Sequence, residues 1–316
     1  MSTYNKKLAI AIPTYNRPEI LEENLQFMLP DLRLHSIPVF ISDDSSDLKT
    51  ETIIKRLQPL YEHIYYRHNL TGFGHDGNFF ATLAMPDCDY VWYIGDSLYI
   101  RPNVVTDILE VLNEEVDFCF VNYNTNDVLS RPISSAHDFL IERTWYLTLT
   151  GATIYGRDPR SLIIDEERKG KWRNFPQLGL ILEYCADNKA RLYWYGKPAI
   201  DANKKKRNSY WSTNAFDVFV EDWSNFIRSF QRLFPNSEVN LVIKSHAINT
   251  GLFNLKSLIL FRANRCLTIG LLRKHKVNFA VASPVSPLLA YCISFVPVIL
   301  ADILRRAAVA CRRMFN

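Results

Sequence analysis

An α/β fold with a mostly parallel sheet is what this sequence predicts, and three observations predict it. Short apolar runs recur about every 25 residues, helical patterns lie between several of them, and the runs end in polar clusters. The runs are LAIAI (8 to 12), VFIS (39 to 42), IYYR (64 to 67), YVWYI (90 to 94) and FCFV (118 to 121). After the first, RPEILEENLQFM places Ile20, Leu21, Leu25 and Met28 near one helix face, with Pro18 suited to the first helical turn. PNVVTDILEVL, Pro102 to Leu112, has the same pattern. Strands that alternate with helices make a parallel sheet covered on both faces, and such sheets bind ligands at the carboxyl ends of their strands. The residues that matter are therefore PTYNR, SDDSSD (Ser42 to Asp47), HNLTGFGHDGN (His68 to Asn78) and GDS (Gly95 to Ser97).

The chain of 316 residues is long enough for a large α/β core and an appended part, and 48% hydrophobic with 22% charged residues describes a folded protein. Six cysteines lie far apart with no CxxC pair, so neither a zinc knuckle nor a disulfide framework is suggested and a reducing cytosol fits best. MSTYNKK leads into the first strand with no apolar stretch, so no secretory signal is expected.

Charge is divided unevenly. From Leu241 to the end there are eleven Lys or Arg against one acid, Asp302; the overall charge is +4, so residues 1 to 240 carry a net −6. We expect a catalytic domain over 1–240, with a nucleotide-binding half (1–122) and an acceptor half (123–240), and a helical, membrane-associating region over 241–316. Between Lys276 and Asp302 no residue is charged, which is enough length to span a bilayer. Pro284, Pro287 and Pro297 interrupt it, and helices lying in the headgroup region of an anionic leaflet fit the flanking basic clusters better. A helical bundle packed on the catalytic domain or a dimer interface is the alternative, and a true span over Phe279 to Leu300 the other option.

The first strand ends without the GxGxxG of a dinucleotide cradle. It delivers Tyr15, whose ring can border a base, and the next strand delivers Asp43 and Asp44, whose carboxylates can accept a pyrimidine imide N–H. SDDSSD is also a plausible capping turn, and Tyr15 a plausible core aromatic.

IPTYNRPEILEENL followed by VFISDDSSD resembles the inverting family 2 glycosyltransferases of GT-A fold, over roughly Lys7 to Val121. The resemblance implies that Pro13, Thr14, Tyr15 and Arg17 belong to the nucleotide-sugar pocket, that Asp44 reads the uracil or thymine, and that Asp43 is structural. It also implies a UDP- or dTDP-sugar donor and a divalent cation, Mg²⁺ or Mn²⁺. The family's acidic metal motif is thinned here to GDS, leaving Asp96 for ribose or metal.

Inverting transfer needs a carboxylate that takes the acceptor proton. Pro176 and Gln177 stand where the resemblance leads one to look for an acid, so Asp165 and Glu166 are the candidates, each also explicable as a solvated loop acid. Arg207, in the KKKR run, is the candidate for neutralising the diphosphate. The expected acceptor is a polyprenyl-diphosphate-linked glycan of bacterial surface polysaccharide assembly, O-antigen or capsule, at the cytoplasmic face of the membrane. No nucleic-acid-binding signature accompanies the basic residues. A nucleotidyltransferase would need a Gly-rich basic signature that PTYNRPE lacks, whereas a weakly catalytic nucleotide-sugar binder or membrane scaffold is compatible with the thinned GDS.

Overall fold

The computed structural model describes residues 4–164, 170–206 and 211–314. Two compact units emerge, one holding Met1–Phe139 and Tyr146–Arg207, the other Leu140–Trp145 and Asn208–Asn316. The change of charge at Leu241 falls inside the second unit.

The first unit is built on an eight-stranded sheet: β1 (Leu8–Thr14), β2 (Val39–Asp43), β3 (Ile64–His68), β4 (Tyr90–Tyr93), β6 (Phe118–Asn122), β7 (Arg131–Ile133), β8 (Thr153–Gly156) and β9 (Leu192–Pro198). Their spatial order is β3-β2-β1-β4-β8-β6-β9-β7, and β5 (Leu98–Ile100) pairs separately with β10 (Ile200–Ala202). β1 is parallel to both β2 and β4, and β2 to β3. β8 runs antiparallel between β4 and β6, so the sheet is mixed on that side. All five apolar runs of the sequence are strands. Those of β1, β2 and β4 read as near-continuous apolar stretches because the strands are buried, whereas the edge strand β3 leaves Arg67 exposed. In β1 the residues from Leu8 to Ile12 are all buried.

Helices α1 (Pro18–Leu34), α2 (Lys49–Leu57) and α3 (Gly74–Leu83) supply part of the cover of these strands. Pro18 opens α1, where its missing N–H has no partner to lose. The buried stripe of α1 is Leu21, Asn24, Leu25, Met28 and Leu32, whereas Ile20 is only half-buried: the face that meets the sheet is rotated toward Asn24. α4 (Val104–Val111) begins two residues later than Pro102, because Asn103 takes a left-handed conformation (φ 66°) at its N-cap. The unit continues through α5 (Ala136–Arg143), shared with the second unit, α6 (Arg157–Arg160) and α7 (Pro176–Asp187).

The second unit is helical: a π-helical turn (Asp217–Asp222), α8 (Trp223–Arg228), α9 (Asn236–Thr250), α10 (Leu255–Ala263), α11 (Ile269–Lys274), α12 (Lys276–Ala282), α13 (Pro287–Phe295) and α14 (Val298–Met314). Its core is aromatic. Phe216 stacks on Phe279 with centroids 5.8 Å apart, and His246 stacks on Phe219 at 4.5 Å. The pieces are short because the sequence restarts them: Asn254, Thr268 and Ser286 each accept a backbone N–H as N-caps of α10, α11 and α13. Among the described residues no single helix is long and apolar enough to cross a membrane; α12 and α13 pass that test only together, bent by 112°.

Candidate functional site

The pairing of β1 with β2 sets Pro13 opposite Ser42 and Thr14 opposite Asp43, and the N–H of Asp44 donates to the carbonyl of Thr14 at 3.0 Å. β4 lies on the other side of β1, where the N–H of Ile94 donates to Ala11 O at 2.9 Å. Three adjacent parallel strands, β2, β1 and β4, therefore carry Asp44, Tyr15 and Asp96 past their carboxyl ends in one row. The turn after β1 is clasped to the turn after β2: Asn16, left-handed at φ 53°, donates its N–H to Ser45 Oγ at 2.8 Å. An asparagine tolerates that conformation better than most residues. Tyr15 projects from this turn with 61% of its surface exposed, so the ring is available to a ligand and is not a core aromatic.

The two acids of SDDSSD have different surroundings. Asp43 is fully buried; Oδ1 accepts the N–H of Ser45 at 2.8 Å and Oδ2 the hydroxyl of Tyr66 at 2.8 Å. Burial, with the Asp43 carboxylate beside it, pushes the Tyr66 phenol well above its ordinary value, so it stays a donor. Asp43 ties β2 to β3 and is structural. Asp44 is half-buried; Oδ1 accepts Asn69 Nδ2 at 2.7 Å and Oδ2 the N–H of Phe73 at 2.9 Å. Each of its oxygens keeps a further lone pair for a ligand donor. Gly72 (φ 57°) and Gly74 (φ 70°) bend the loop that brings the Phe73 N–H to Asp44.

Asp96 is 5% exposed. Its carboxylate accepts Arg17 Nη1 at 2.9 Å on Oδ1 and Thr14 Oγ1 at 3.2 Å on Oδ2. Pro13, half-buried, precedes Thr14 on β1. Thus Pro13, Thr14, Tyr15, Arg17, Asp44 and Asp96 share one end of the sheet.

A buried amide pair holds that end in place. Asn24 Nδ2 donates to Asp96 O at 2.8 Å, Asn203 Nδ2 donates to Asn24 Oδ1 at 2.9 Å, and the N–H of Asn203 donates to Ser97 O at 2.8 Å. Asn203 in turn accepts the N–H of Lys205 on its side chain and that of Lys206 on its carbonyl. The start of the KKKR loop is thereby anchored to the GDS turn. The Lys206 ammonium is pushed below its ordinary value by desolvation, then by the nearby Arg17 charge, with Asp96 acting in the opposite direction, even though the residue keeps exposed surface. Neither Asn24 nor Asn203 was legible as a site residue. The position of Asn24 inside an otherwise apolar helix stripe is the one signal that could have found it.

Asp165, Glu166 and Arg207 lie outside the described residues. Gln177 is buried, its Nε2 donating to Thr148 O at 3.3 Å, and it has no acidic function to offer. Among the described residues no group of three His, Cys, Asp or Glu side chains is placed to hold a metal ion. Asp96 is one acid, already paired to Arg17, so these residues alone do not form a metal site; a cation would need ligands brought by the substrate.

Comparison with known proteins bears on this arrangement. The sequence matches the Glycosyl transferase family 2 over residues 9–165. It is 31% identical over 112 residues to the abequosyltransferase RfbV of Salmonella typhimurium, a stretch covering 35% of this chain and 34% of that protein; the alignment thus spans about a third of the relative's length. The fold is similar to that of S. aureus TarS 1–349 (TM-score 0.56, 15% identity, 88% of this chain and 81% of that one), which has also been solved with UDP-GlcNAc (TM-score 0.55, 14% identity, 88% and 84%). It is likewise similar to the mannosyltransferase PcManGT from Pyrobaculum calidifontis solved with GDP-Man and Mn²⁺ (TM-score 0.53, 12% identity, 88% and 86%). The mixed sheet, with its parallel half ending in Tyr15, Asp44 and Asp96, is of the GT-A type, and the stretch that matches the Glycosyl transferase family 2, residues 9–165, carries all three of these residues.

Proposed function

We propose that the protein transfers a sugar from a UDP- or dTDP-sugar to a polyprenyl-diphosphate-linked glycan, with inversion, during assembly of a bacterial surface polysaccharide at the cytoplasmic face of the membrane. The observation that carries this reading is the row of Tyr15, Asp44 and Asp96 on three adjacent strand ends. In it the Tyr15 ring borders the base, and a free lone pair of Asp44 accepts the imide N–H. Asp96 and Arg17 lie on the far side of Thr14, the direction in which a nucleotide's ribose and diphosphate extend. Transfer forms a bond from the acceptor oxygen to the anomeric carbon and breaks the bond from that carbon to the diphosphate oxygen. The bonding pair leaves on the nucleoside diphosphate, and the acceptor proton goes to a carboxylate, which we assign to Asp165 or Glu166.

We assign the meeting of the departing diphosphate to the Arg17 guanidinium, held by Asp96, to Lys206, whose N–H is held by Asn203 O, and to Arg207, the next residue in sequence. A divalent cation, Mg²⁺ or Mn²⁺, held by Asp96 and the donor's phosphates would add charge stabilisation of the leaving group. The further lone pair of Asp96 Oδ2, which accepts only Thr14 Oγ1 at 3.2 Å, is the one such a cation would use.

The pairing of Asp96 with Arg17 also favours a second reading, a nucleotide-sugar binder or membrane scaffold with weak catalysis. One experiment separates the two. Purified protein is incubated with a panel of UDP-, dTDP-, CDP- and GDP-sugars, an extract of lipid-linked glycans and Mg²⁺ or Mn²⁺, while release of nucleoside diphosphate is followed. The transferase reading requires acceptor-dependent release that Asp96→Asn abolishes. Stabilisation by nucleotide with no release under any condition supports the binder.

A further inference from the structure

The helical unit leaves apolar surface in water at one stretch of chain. Seven large apolar side chains between Leu288 and Leu304 are exposed, with Phe295 at 68%, Ile299 at 78% and Ile303 at 56%. On α14 the pairs Ile299 and Ile303, and Leu300 and Leu304, are each four residues apart and so lie one above the other, forming an apolar stripe about 140° wide at 3.6 residues per turn. The stripe is not core awaiting a neighbour within the unit: α14 already packs against α10 and buries Ala301 on its other side. α13 likewise turns Ala290 and Ile293 inward while leaving Leu288 and Phe295 outside. Patches of this kind mark a partner surface.

The charge of the same unit identifies the partner. Lys244, Lys256, Arg265, Arg273 and Lys276 are exposed and make no ion pair with any described carboxylate of the unit. From Leu241 onward Asp302 is the single acid, and it is taken up by Arg305 and Arg306. A second copy of this chain meeting it through the same face would bring a like-charged surface into contact, at an electrostatic penalty. An anionic lipid leaflet offers hydrocarbon for the stripe and headgroups for the cations.

We propose that α13 and α14 dock the protein on an anionic bilayer as a peripheral helix pair lying in the headgroup region, with Phe295, Ile299 and Ile303 inserted and Arg273 and Lys276 among the cations held at the surface. The buried anchors of α12 and α13, Phe279 and Ile293, pack those helices into the unit, which favours a peripheral pair over a span bent by 112°. This rests on the membrane location proposed above and not on the donor site.

The test is co-sedimentation of the purified full chain with vesicles, either equimolar phosphatidylglycerol and phosphatidylcholine or phosphatidylcholine alone. We expect binding to the anionic vesicles only, weakened by high salt. Ile299→Ser with Ile303→Ser, and separately Arg273→Glu with Lys276→Glu, should each lower the partition coefficient at least about tenfold. In a Cys266→Ser, Cys311→Ser background, an environment-sensitive fluorophore on the exposed Cys292 of α13 should shift to the blue on anionic vesicles. Unchanged sedimentation in both paired variants, or no vesicle binding by a wild type whose concentration-dependent dimer disappears in the Ile variant, would overturn the proposal. UDP-induced thermal stabilisation is measured on every variant. Its retention shows that the fold is intact, and its absence from a wild type that still binds vesicles counts against the donor reading alone.

Discussion

The guanidinium of Arg17 lies 2.9 Å from Oδ1 of Asp96, whose side chain is 6% exposed. Removing one partner of a desolvated pair strands the other charge, at up to about 3–5 kcal/mol for full burial. Arg17 keeps 32% of its side chain in solvent, so we expect Arg17→Gln to cost only about 1–2 kcal/mol. The melting temperature should fall by a few degrees, because about 1 kcal/mol corresponds to roughly 2–4 °C in a chain of this class. The double variant Arg17→Gln, Asp96→Asn should recover that stability and remain inactive. Recovery of stability together with turnover would remove both residues from the reaction.

Asp44 is held by Asn69 and the Phe73 N–H, so its orientation is set before any ligand arrives. Asp44→Asn presents an N–H where a uracil or thymine imide needs an acceptor. Affinity for UDP should drop at least about tenfold, a loss of about 1.4 kcal/mol or more, beyond a modest fall in melting temperature from the one held donor that the amide nitrogen can no longer accept. Isothermal titration checks it, and an unchanged dissociation constant would remove Asp44 from the base pocket.

Tyr66 and Asp43 should behave oppositely to Asp44. Tyr66→Phe leaves one oxygen of a fully buried carboxylate without its 2.8 Å donor, so we expect a stability loss of about 1–3 kcal/mol in thermal or urea unfolding and unchanged affinity for UDP.

His246 makes the helical unit acid-sensitive. Burial against Phe219 and Trp223 lowers its imidazole from an ordinary value near 6.5 to about 3. The folded state therefore stays neutral there while the unfolded chain takes up a proton. The stability associated with His246 is fully present above pH 6.5 and is lost as pH falls from 6.5 toward 3, by a few kcal/mol in all. His246→Phe should flatten that part of the stability profile, as followed by urea unfolding across the range.

The parallel half of the sheet was legible because buried parallel strands are continuous apolar runs, and the candidate pocket was legible because its residues sit immediately after those runs, at Tyr15, Asp44 and Asp96. The hydrogen bond between Asn24 and Asn203 was not: it joins residues 179 apart through side chains, and no periodicity records such a contact. Antiparallel insertion of β8 between β4 and β6 escaped for the same reason, since strand order is decided by long-range packing. In the second unit, the apolar run after Lys276 carries no local sign of which side chains turn inward. Phe279 and Phe295 look alike in sequence, yet one is 1% and the other 68% exposed.

The base pocket is the part on which the donor reading stands, and isothermal titration of UDP against wild type, Tyr15→Ala and Asp44→Asn tests it most directly. The account predicts saturable binding to the wild type that each substitution weakens at least about tenfold, with each variant still unfolding cooperatively in the absence of ligand. Wild-type affinity retained in both variants would contradict it.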